Sequence, residues 1–285
     1  MYNKIFDIII ASFFLSKVYF SRKYKRFHLG IFWAFFPTLI VLIGAIISSK
    51  QLDFEELGFE YNYVLWTIPS FVIFRAITET FDIAQKIIQL SFILQRSLNI
   101  KSYHIFIGSI FASLFYLIID IILISIVVYY FFGEINFEFL LYIYVFIFSV
   151  FLSVFISVII GPFAMLIYDL RFISKFLRVI ILACTPIFYL PPKEGIVYYI
   201  NKFNPFTIII ESSRDVILKG ISSDLIIVII TSIICILIAT LYFKIFSKQI
   251  KIINSTAVKG VVGQTYAWVN IFKTKLRNKE DAKNN

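Results

Sequence analysis

The sequence predicts an all-α integral membrane protein with six transmembrane helices, an N-terminal amphipathic helix and re-entrant helices in the outer leaflet. Three observations predict this class. Hydrophobic residues make up 60% of the 285 residues and charged residues only 15%, so the apolar surface exceeds what a soluble core of this length can bury. The apolar residues form runs long enough to cross a hydrocarbon layer of about 30 Å as helices. The cations gather in the segments between these runs.

The transmembrane domain is predicted over residues 29–246. The fifth span is the weakest, because its uninterrupted apolar part covers only residues 179–190. Lys175 and Arg178 are therefore expected to extend toward the cytoplasmic surface. The six predicted spans are residues 31–49, 63–81, 103–132, 139–167, 172–190 and 225–246.

The distribution of cations predicts the orientation. An even number of spans places both termini on one side, and the segments on that side carry 21 of the 27 Lys and Arg residues. Positively charged loops face the cytoplasm, which predicts a multi-pass membrane protein with both termini cytoplasmic. This sorting also explains the net charge of +10 without nucleic acid as a partner. The opposite loops hold Lys50, Lys193, Lys202, Arg214 and Lys219.

Residues 1–28 are predicted to form a cytoplasmic amphipathic and basic helix. Its apolar side chains recur at helical spacing, which is typical of a helix lying in the membrane interface. A signal peptide is the alternative, because Lys4 precedes a short apolar run, but no small-x-small cleavage pattern follows. The apolar positions are Ile5, Phe6, Ile9, Ile10, Phe13 and Phe14.

Prolines interrupt the chain after the fifth span. Pro186, Pro191 and Pro192 break the backbone, and the following residues never become apolar for long enough to span. Irregular backbone at membrane depth needs protein or water around it, so we predict paired short helices dipping into the outer leaflet, a gate hairpin at 191–220. Residues 247–285 have no apolar periodicity and carry many lysines, which predicts a basic cytoplasmic tail.

The sequence offers no catalytic constellation. His28 and His104 have no Cys or carboxylate at metal-ligand spacing, so neither a metal site nor a cofactor is predicted in this chain. The segment 259–265 lacks the lysine that follows the second glycine of a P-loop. Any ATP-driven work therefore requires ATP and Mg²⁺ in a separate subunit. Cys184 and Cys235 lie in apolar segments and predict no disulfide.

Three ionisable residues lie within predicted spans. Arg75 and Glu79 are four residues apart on one helix, so they are expected to pair. Asp120 lies deeper, in the third span, and the sequence names no partner for it. A proton-coupling site is one hypothesis for such an intramembrane carboxylate.

Aromatic side chains cluster at the predicted outer ends of spans two and five. One interpretation is an interfacial belt, the usual position of Tyr and Trp in membrane proteins. The other is a lining on which sugar rings stack as a polymer slides past. These residues are Tyr61, Tyr63, Trp66, Phe188 and Tyr189.

Several short motifs in a particular order resemble one family. After the interfacial helix come Arg22-x-Tyr24-Lys25, Leu29-Gly30-x-x-Trp33-Ala34 and a cytoplasmic turn at 168–171. Then follow Thr185-Pro186-Ile187-Phe188-Tyr189, Asn204-Pro205-Phe206-Thr207 and Glu211-x-x-Arg214-Asp215. Their order, spacing and six-span topology are similar to the transmembrane (permease) subunit of type-2 ABC exporters for lipid-linked polysaccharide, such as O-antigen or capsule, or for teichoic acid.

This resemblance implies a homodimer with two copies of an ABC ATP-binding subunit, carrying an undecaprenyl-pyrophosphate-linked glycan; the chain is then a transport subunit and not itself an enzyme. It also implies three sites besides the aromatic path. The lipid-pyrophosphate entrance maps onto Arg22, Tyr24, Lys25, Leu29 and Gly30, where the cations serve either as phosphate ligands or only as a topology anchor. The coupling helix maps onto residues 85–100, with Gln85, Lys86, Gln95 and Arg96, and the outer gate onto Asn204, Pro205, Glu211 and Arg214.

Two alternatives belong to other functional classes. An ABC exporter for a drug or a lipid shares the six spans and the outer hairpin but needs no continuous stacking path. A membrane enzyme acting on lipid-linked sugars should carry paired carboxylates or a histidine cluster facing one leaflet. The sequence displays neither of these features.

Overall fold

A computed structural model describes residues 2–24, 32–51, 62–94, 102–135, 137–166, 170–220, 225–238 and residue 241. These residues form helices and no strand, which confirms the all-α class. In chain order the helices are α1 (Tyr2–Tyr24), α2 (Phe32–Gln51), α3 (Tyr63–Leu94), α4 (Ser102–Phe132), α5 (Phe137–Leu166), α6 (Leu170–Cys184), α7 (Ile196–Phe203), α8 (Pro205–Lys219) and α9 (Leu225–Ile238).

Among the described residues, two helices have the length and composition of a membrane span, Tyr63–Leu90 in α3 and Glu138–Gly161 in α5. A third is α4, if its halves Tyr103–Phe115 and Leu117–Phe132, bent by 41°, count as one span. The apolar stretches Phe36–Gln51 and Leu225–Ile238 are shorter. These helices indicate a membrane protein.

Two predicted boundaries differ from the helices. α3 continues to Leu94, well beyond the predicted end of span two at residue 81, so the first half of the predicted coupling segment extends the same helix. α6 ends at Cys184 rather than at residue 190. The cause is Pro186, which has no N–H to donate and restricts the residue before it to extended backbone.

Helix α3 is the centre of the bundle and contacts α1, α2, α4, α5, α6 and α8. Of its apolar stretch 94% is buried, against 56% for α5. Small residues bring α5 close to it: Ser149, Ser153 and Ser157 recur every four residues and are all buried. One turn further, a Cβ on Gly161 would lie 2.5 Å from Ile88 Cδ1 of α3. Such small faces allow close helix packing in membranes.

Helix α1 packs on α4 through a narrow, partly polar face. Ser12, Leu15, Ser16 and Tyr19 are buried at spacings of three and four residues. A Cβ on Gly108 of α4 would lie only 2.9 Å from the Ser12 carbonyl oxygen and 3.3 Å from Leu15 Cβ, so the two backbones nearly touch.

The opposite, apolar face of α1 points away from the protein. Its four described side chains are between 45% and 60% exposed. An apolar face left uncovered on a membrane-protein helix suits contact with lipid. These side chains are Ile9, Ile10, Phe13 and Phe14.

Candidate functional site

A cavity of about 370 Å³ lies where the last turn of α1 meets α3. Three cationic side chains line it: Arg22 and Lys23 from α1, and Lys86 from α3. Arg22 and Lys23 are the basic residues of the last turn of α1, where cations also complement the helix dipole. The remaining lining is Tyr19, Gln89 and Leu90. The tertiary structure thus joins cations that are about sixty residues apart in the chain.

The ammonium group of Lys23 is unusually easy to deprotonate. Burial lowers its pKa to about 8, and the charge of Lys86 acts in the same direction. The carboxylates of Glu79 and Asp82 partly oppose this shift. Lys23 Nζ also lies 5.8 Å from the centroid of the Tyr19 ring. A desolvated cation beside other cations gains strongly from an anion placed between them.

The predicted entrance is only partly among the described residues. Arg22 lines the cavity and Tyr24 ends α1. Lys25, Leu29 and Gly30 lie outside the described residues. Lys86, which was predicted to belong to the coupling segment, also lines this cavity.

The rest of the predicted coupling segment divides in the same way. Gln85 points into the bundle, where its Nε2 donates to the Ser157 carbonyl of α5 at 3.3 Å. Gln95 and Arg96 lie outside the described residues. Of the four predicted contacts with an ATPase, only Lys86 is both described and exposed.

The predicted Arg75–Glu79 pair is wrong. Arg75 Nη1 donates to both carboxylate oxygens of Asp120 at 2.8 Å, joining α3 to α4. The same nitrogen contacts the Thr38 hydroxyl, and that hydroxyl donates to Asp120 at 2.6 Å. Arg75 Nη2 donates to the Ala34 carbonyl at 2.5 Å. Asp120 therefore has a partner that the sequence could not name, and an isolated intramembrane carboxylate is ruled out for this conformation.

Glu79 instead belongs to a second charged cluster, between α3 and α6. Arg178 Nη1 lies 3.3 Å from Glu79 Oε1, and Arg178 Nη2 lies 2.6 Å from Asp82 Oδ2. Arg178 was expected to extend toward the cytoplasmic surface, and its charge is paired with these two carboxylates of α3. The two acids also act electrostatically on Lys23, so this cluster and the basic cavity lie at the same end of the bundle.

At the other end of α3, Arg214 of α8 covers Trp66. The guanidinium carbon lies 3.5 Å from the centroid of the indole ring, within the range of a cation–π contact. Arg214 Nη1 donates to the Pro186 carbonyl at 3.2 Å. Glu211 lies on the same face of α8, as predicted, with its Oε1 at 3.9 Å from Arg214 Nη2.

Asn204 connects the start of α8 to the end of α6. Its side-chain oxygen accepts from the Phe206 backbone N–H at 3.0 Å, which makes it the N-cap of α8, with Pro205 as first helical residue. Its Nδ2 donates to the Cys184 carbonyl at 3.0 Å, and the Thr207 hydroxyl donates to the same oxygen at 3.4 Å. The motif predicted for the outer gate thus supplies hydrogen-bond donors to the Cys184 carbonyl at the end of α6.

The structure describes four of the five residues predicted to form the aromatic lining. The Tyr63 hydroxyl donates to the Phe188 carbonyl at 3.2 Å, and the Tyr189 hydroxyl donates to Asn201 Oδ1 at 3.2 Å. Phe188 is 39% exposed, whereas Trp66 is buried beneath Arg214. Tyr61 lies outside the described residues. The Trp66 ring is therefore unavailable to a sugar on the side that Arg214 covers.

No protein-family model matches the sequence. The curated proteins likewise include none that is significantly similar to it.

Proposed function

We propose that this chain is the permease subunit of an ATP-driven exporter that carries undecaprenyl-pyrophosphate-linked polysaccharide, of O-antigen, capsule or teichoic acid type, across the bacterial cytoplasmic membrane. The observation that carries the proposal is the basic cavity, defined by Arg22, Lys23 and Lys86. Three cations around about 370 Å³ supply the charge-assisted hydrogen bonds that a pyrophosphate needs. The glycan substrate and the exporter class in this proposal rest on the resemblance of the motifs.

In this proposal the membrane domain has six spans. The helices α3, α4 and α5 serve as complete spans, and α2, α6 and α9 belong to the other three spans. The pair α7 and α8 forms the outer gate. Its attachment to the end of α6 through Asn204 supports this assignment, because a gate must be anchored where the span stops.

The proposed mechanism divides the work between subunits. Two copies of this chain form a path for the glycan at their interface. Two ATP-binding subunits at the cytoplasmic side hydrolyse ATP with Mg²⁺. The coupling contact includes the end of α3. A displacement of that helix would therefore move Lys86 in the basic cavity and Trp66 beneath Arg214. One helix that touches both sites supports alternating access.

The test uses the complex purified with its co-expressed ATP-binding subunit and reconstituted into liposomes. ATP hydrolysis is measured with lipid-pyrophosphate glycan, with the same lipid lacking the glycan, and with neither. We expect the glycan lipid to stimulate hydrolysis, and Arg22→Gln with Lys86→Gln to raise the half-maximal lipid concentration at least tenfold. Lys50→Gln, which removes an exposed cation from the end of α2, is the matched control.

Each alternative predicts a different result. Equal stimulation by the lipid without glycan would favour a lipid exporter. Chemical turnover of the lipid by this chain alone would favour a membrane enzyme. Failure to co-purify with any ATP-binding subunit would refute the exporter proposal altogether.

A further inference from the structure

A second cavity, of about 470 Å³, lies between α1 and α4. Phe13 and Phe20 of α1 form one wall, and Phe111, Phe115 and Ile118 of α4 form the other. We call it the α1–α4 groove. It is distinct from the basic cavity, with which it shares no lining residue.

The groove is apolar except at one point. Phe13, Phe115 and Ile118 are each more than half exposed, so the open side presents hydrocarbon. The hydroxyl of Ser16, which also lines the groove, donates to the Phe13 carbonyl at 2.7 Å and so requires no ligand. The one charged residue in the lining is Lys17.

Lys17 has no acidic partner among the residues that the structure describes. The cations that form salt bridges among the described residues are Arg75, Arg178, Arg214 and Lys219. A long cationic side chain beside an apolar groove places its stem on the apolar surface and its charge at the water boundary. The charge is thus available for an anion whose apolar part fills the groove.

We propose that the α1–α4 groove binds an anionic phospholipid, with one acyl chain between the two helices and the phosphate at Lys17. The residues of α4 that line the groove lie within eight consecutive positions, or about 10 Å of helix, enough for the upper part of an acyl chain. The volume of about 470 Å³ falls within the range of small-molecule ligand pockets. Arg22 lies about 7.5 Å further along α1, so both cations belong to the headgroup level.

Charge argues against a second copy of this chain as the occupant. A twofold contact centred on the groove would bring the same face of α1 against itself. The cations Lys17 and Arg22 would then meet their own copies, and residues 8–24 contain no carboxylate to separate them. An anionic lipid neutralises the charge of Lys17, whereas a symmetric protein contact places that charge opposite a second Lys17.

The proposal requires only that α1 lies at the bilayer surface, and it stands or falls independently of the exporter function. The test is native mass spectrometry of the full-length protein in detergent, titrated with phosphatidylglycerol or with phosphatidylcholine of identical acyl chains. We expect one tightly held lipid per chain and a preference for phosphatidylglycerol. Lys17→Gln should weaken phosphatidylglycerol binding about fivefold, the effect typical of one lysine near an anionic surface, and leave phosphatidylcholine unchanged.

Two further variants separate the groove from the general lipid-facing surface. Ile118→Trp fills the groove and should abolish retention of both lipids. Ile126→Trp places the same ring two turns further along α4, at a position that is 59% exposed and outside the groove, and should change nothing. Lys50→Gln is the control for charge.

Three results would overturn the proposal. They are equal affinity for the two lipids in the unmodified protein, equal effects of Lys17→Gln and Lys50→Gln, and equal effects of the two tryptophan variants. A lipid-free dimer that Ile118→Trp converts to a monomer would also overturn it, because the groove would then be covered by a second copy.

Discussion

Arg75 of α3 and Asp120 of α4 form an ion pair that is almost completely shielded from solvent, with side-chain exposures of 3% and 1%. Thr38 and the Ala34 carbonyl complete its hydrogen bonds, so α2, α3 and α4 meet at one polar point inside an apolar bundle. Removing one member of such a pair leaves the other charge buried and uncompensated.

We therefore expect Asp120→Ala to lower the free energy of unfolding by about 3–5 kcal/mol. The double variant Arg75→Met with Asp120→Leu removes both charges and should recover most of that loss. Thermal unfolding of the detergent-purified protein, followed by loss of the monodisperse peak, measures both effects. A double variant as unstable as the single one would show that the pair does not act through its charges.

Gly108 permits the closest approach of α1 to α4. A methyl group there would meet the backbone of Ser12, which cannot rotate away. We expect Gly108→Ala to cost about 1–3 kcal/mol, as overpacking does, and to expose α1 to protease. Gly44→Ala in α2 is the control, because nothing lies within 4 Å of its added Cβ. Equal protease resistance of the two variants would contradict the described contact.

The low pKa of Lys23 predicts the pH dependence of anion binding in the basic cavity. Lys23 loses its charge as pH rises through about 8, whereas a phosphate, with its second pKa near 6, keeps its charge constant above about pH 7. The affinity for a short-chain polyprenyl pyrophosphate should therefore fall between pH 7 and pH 9. Calorimetric titration over this range measures it. Lys23→Arg, which stays charged, should abolish the fall.

The stability of the empty protein should change with pH in the opposite direction. Between the folded pKa of about 8 and the ordinary lysine pKa of 10.5, the unfolded chain binds more protons at Lys23 than the folded chain does. The free energy of unfolding therefore rises with pH across that window. Lys23→Gln should remove this contribution. A curve that is identical with and without Lys23 would show that the ammonium group is not desolvated.

The stacking of Arg214 on Trp66 predicts that lysine is a poor substitute. Lysine keeps the charge but loses the planar group that lies on the indole ring and donates to Pro186. Arg214→Lys should cost about 1–2 kcal/mol, in line with a desolvated cation–π contact. Lys219→Gln, on an exposed residue of the same helix, is the control. Thermal unfolding and intrinsic tryptophan fluorescence are the measurements.

The sequence predicted the helices better than it predicted their partners. The starts of α3 and α4 agree with the predicted spans to within one residue, because long apolar runs and cations in the loops are local signals. The end of α3 was missed because Asp82 lies beyond the apolar run and because Gln85 and Lys86 were assigned to a separate coupling helix. Asp82 pairs with Arg178 of α6, Gln85 donates to a carbonyl of α5, and Lys86 lines the basic cavity.

The charged residues show the same contrast. Helical spacing alone paired Arg75 with Glu79, four residues away, and left Asp120 alone. The structure pairs Arg75 across 45 residues with Asp120, and Glu79 across 99 residues with Arg178. Spacing along one helix identifies residues that are able to meet, but several helices compete for each buried charge. The arrangement with the most satisfied hydrogen bonds prevails, and it depends on how the helices pack.

By itself the sequence determined that the chain is helical and belongs to a membrane, that its N-terminal helix is amphipathic, and that prolines interrupt the chain after the fifth apolar run. These properties follow from composition and short-range periodicity. Only the tertiary structure decided that Lys86 joins Arg22 and Lys23 around one cavity, that Asp120 is paired, and that an apolar groove lies between α1 and α4. Each of these depends on contacts between residues far apart in the chain, and their geometry is set by close packing at small residues such as Gly108 and Gly161.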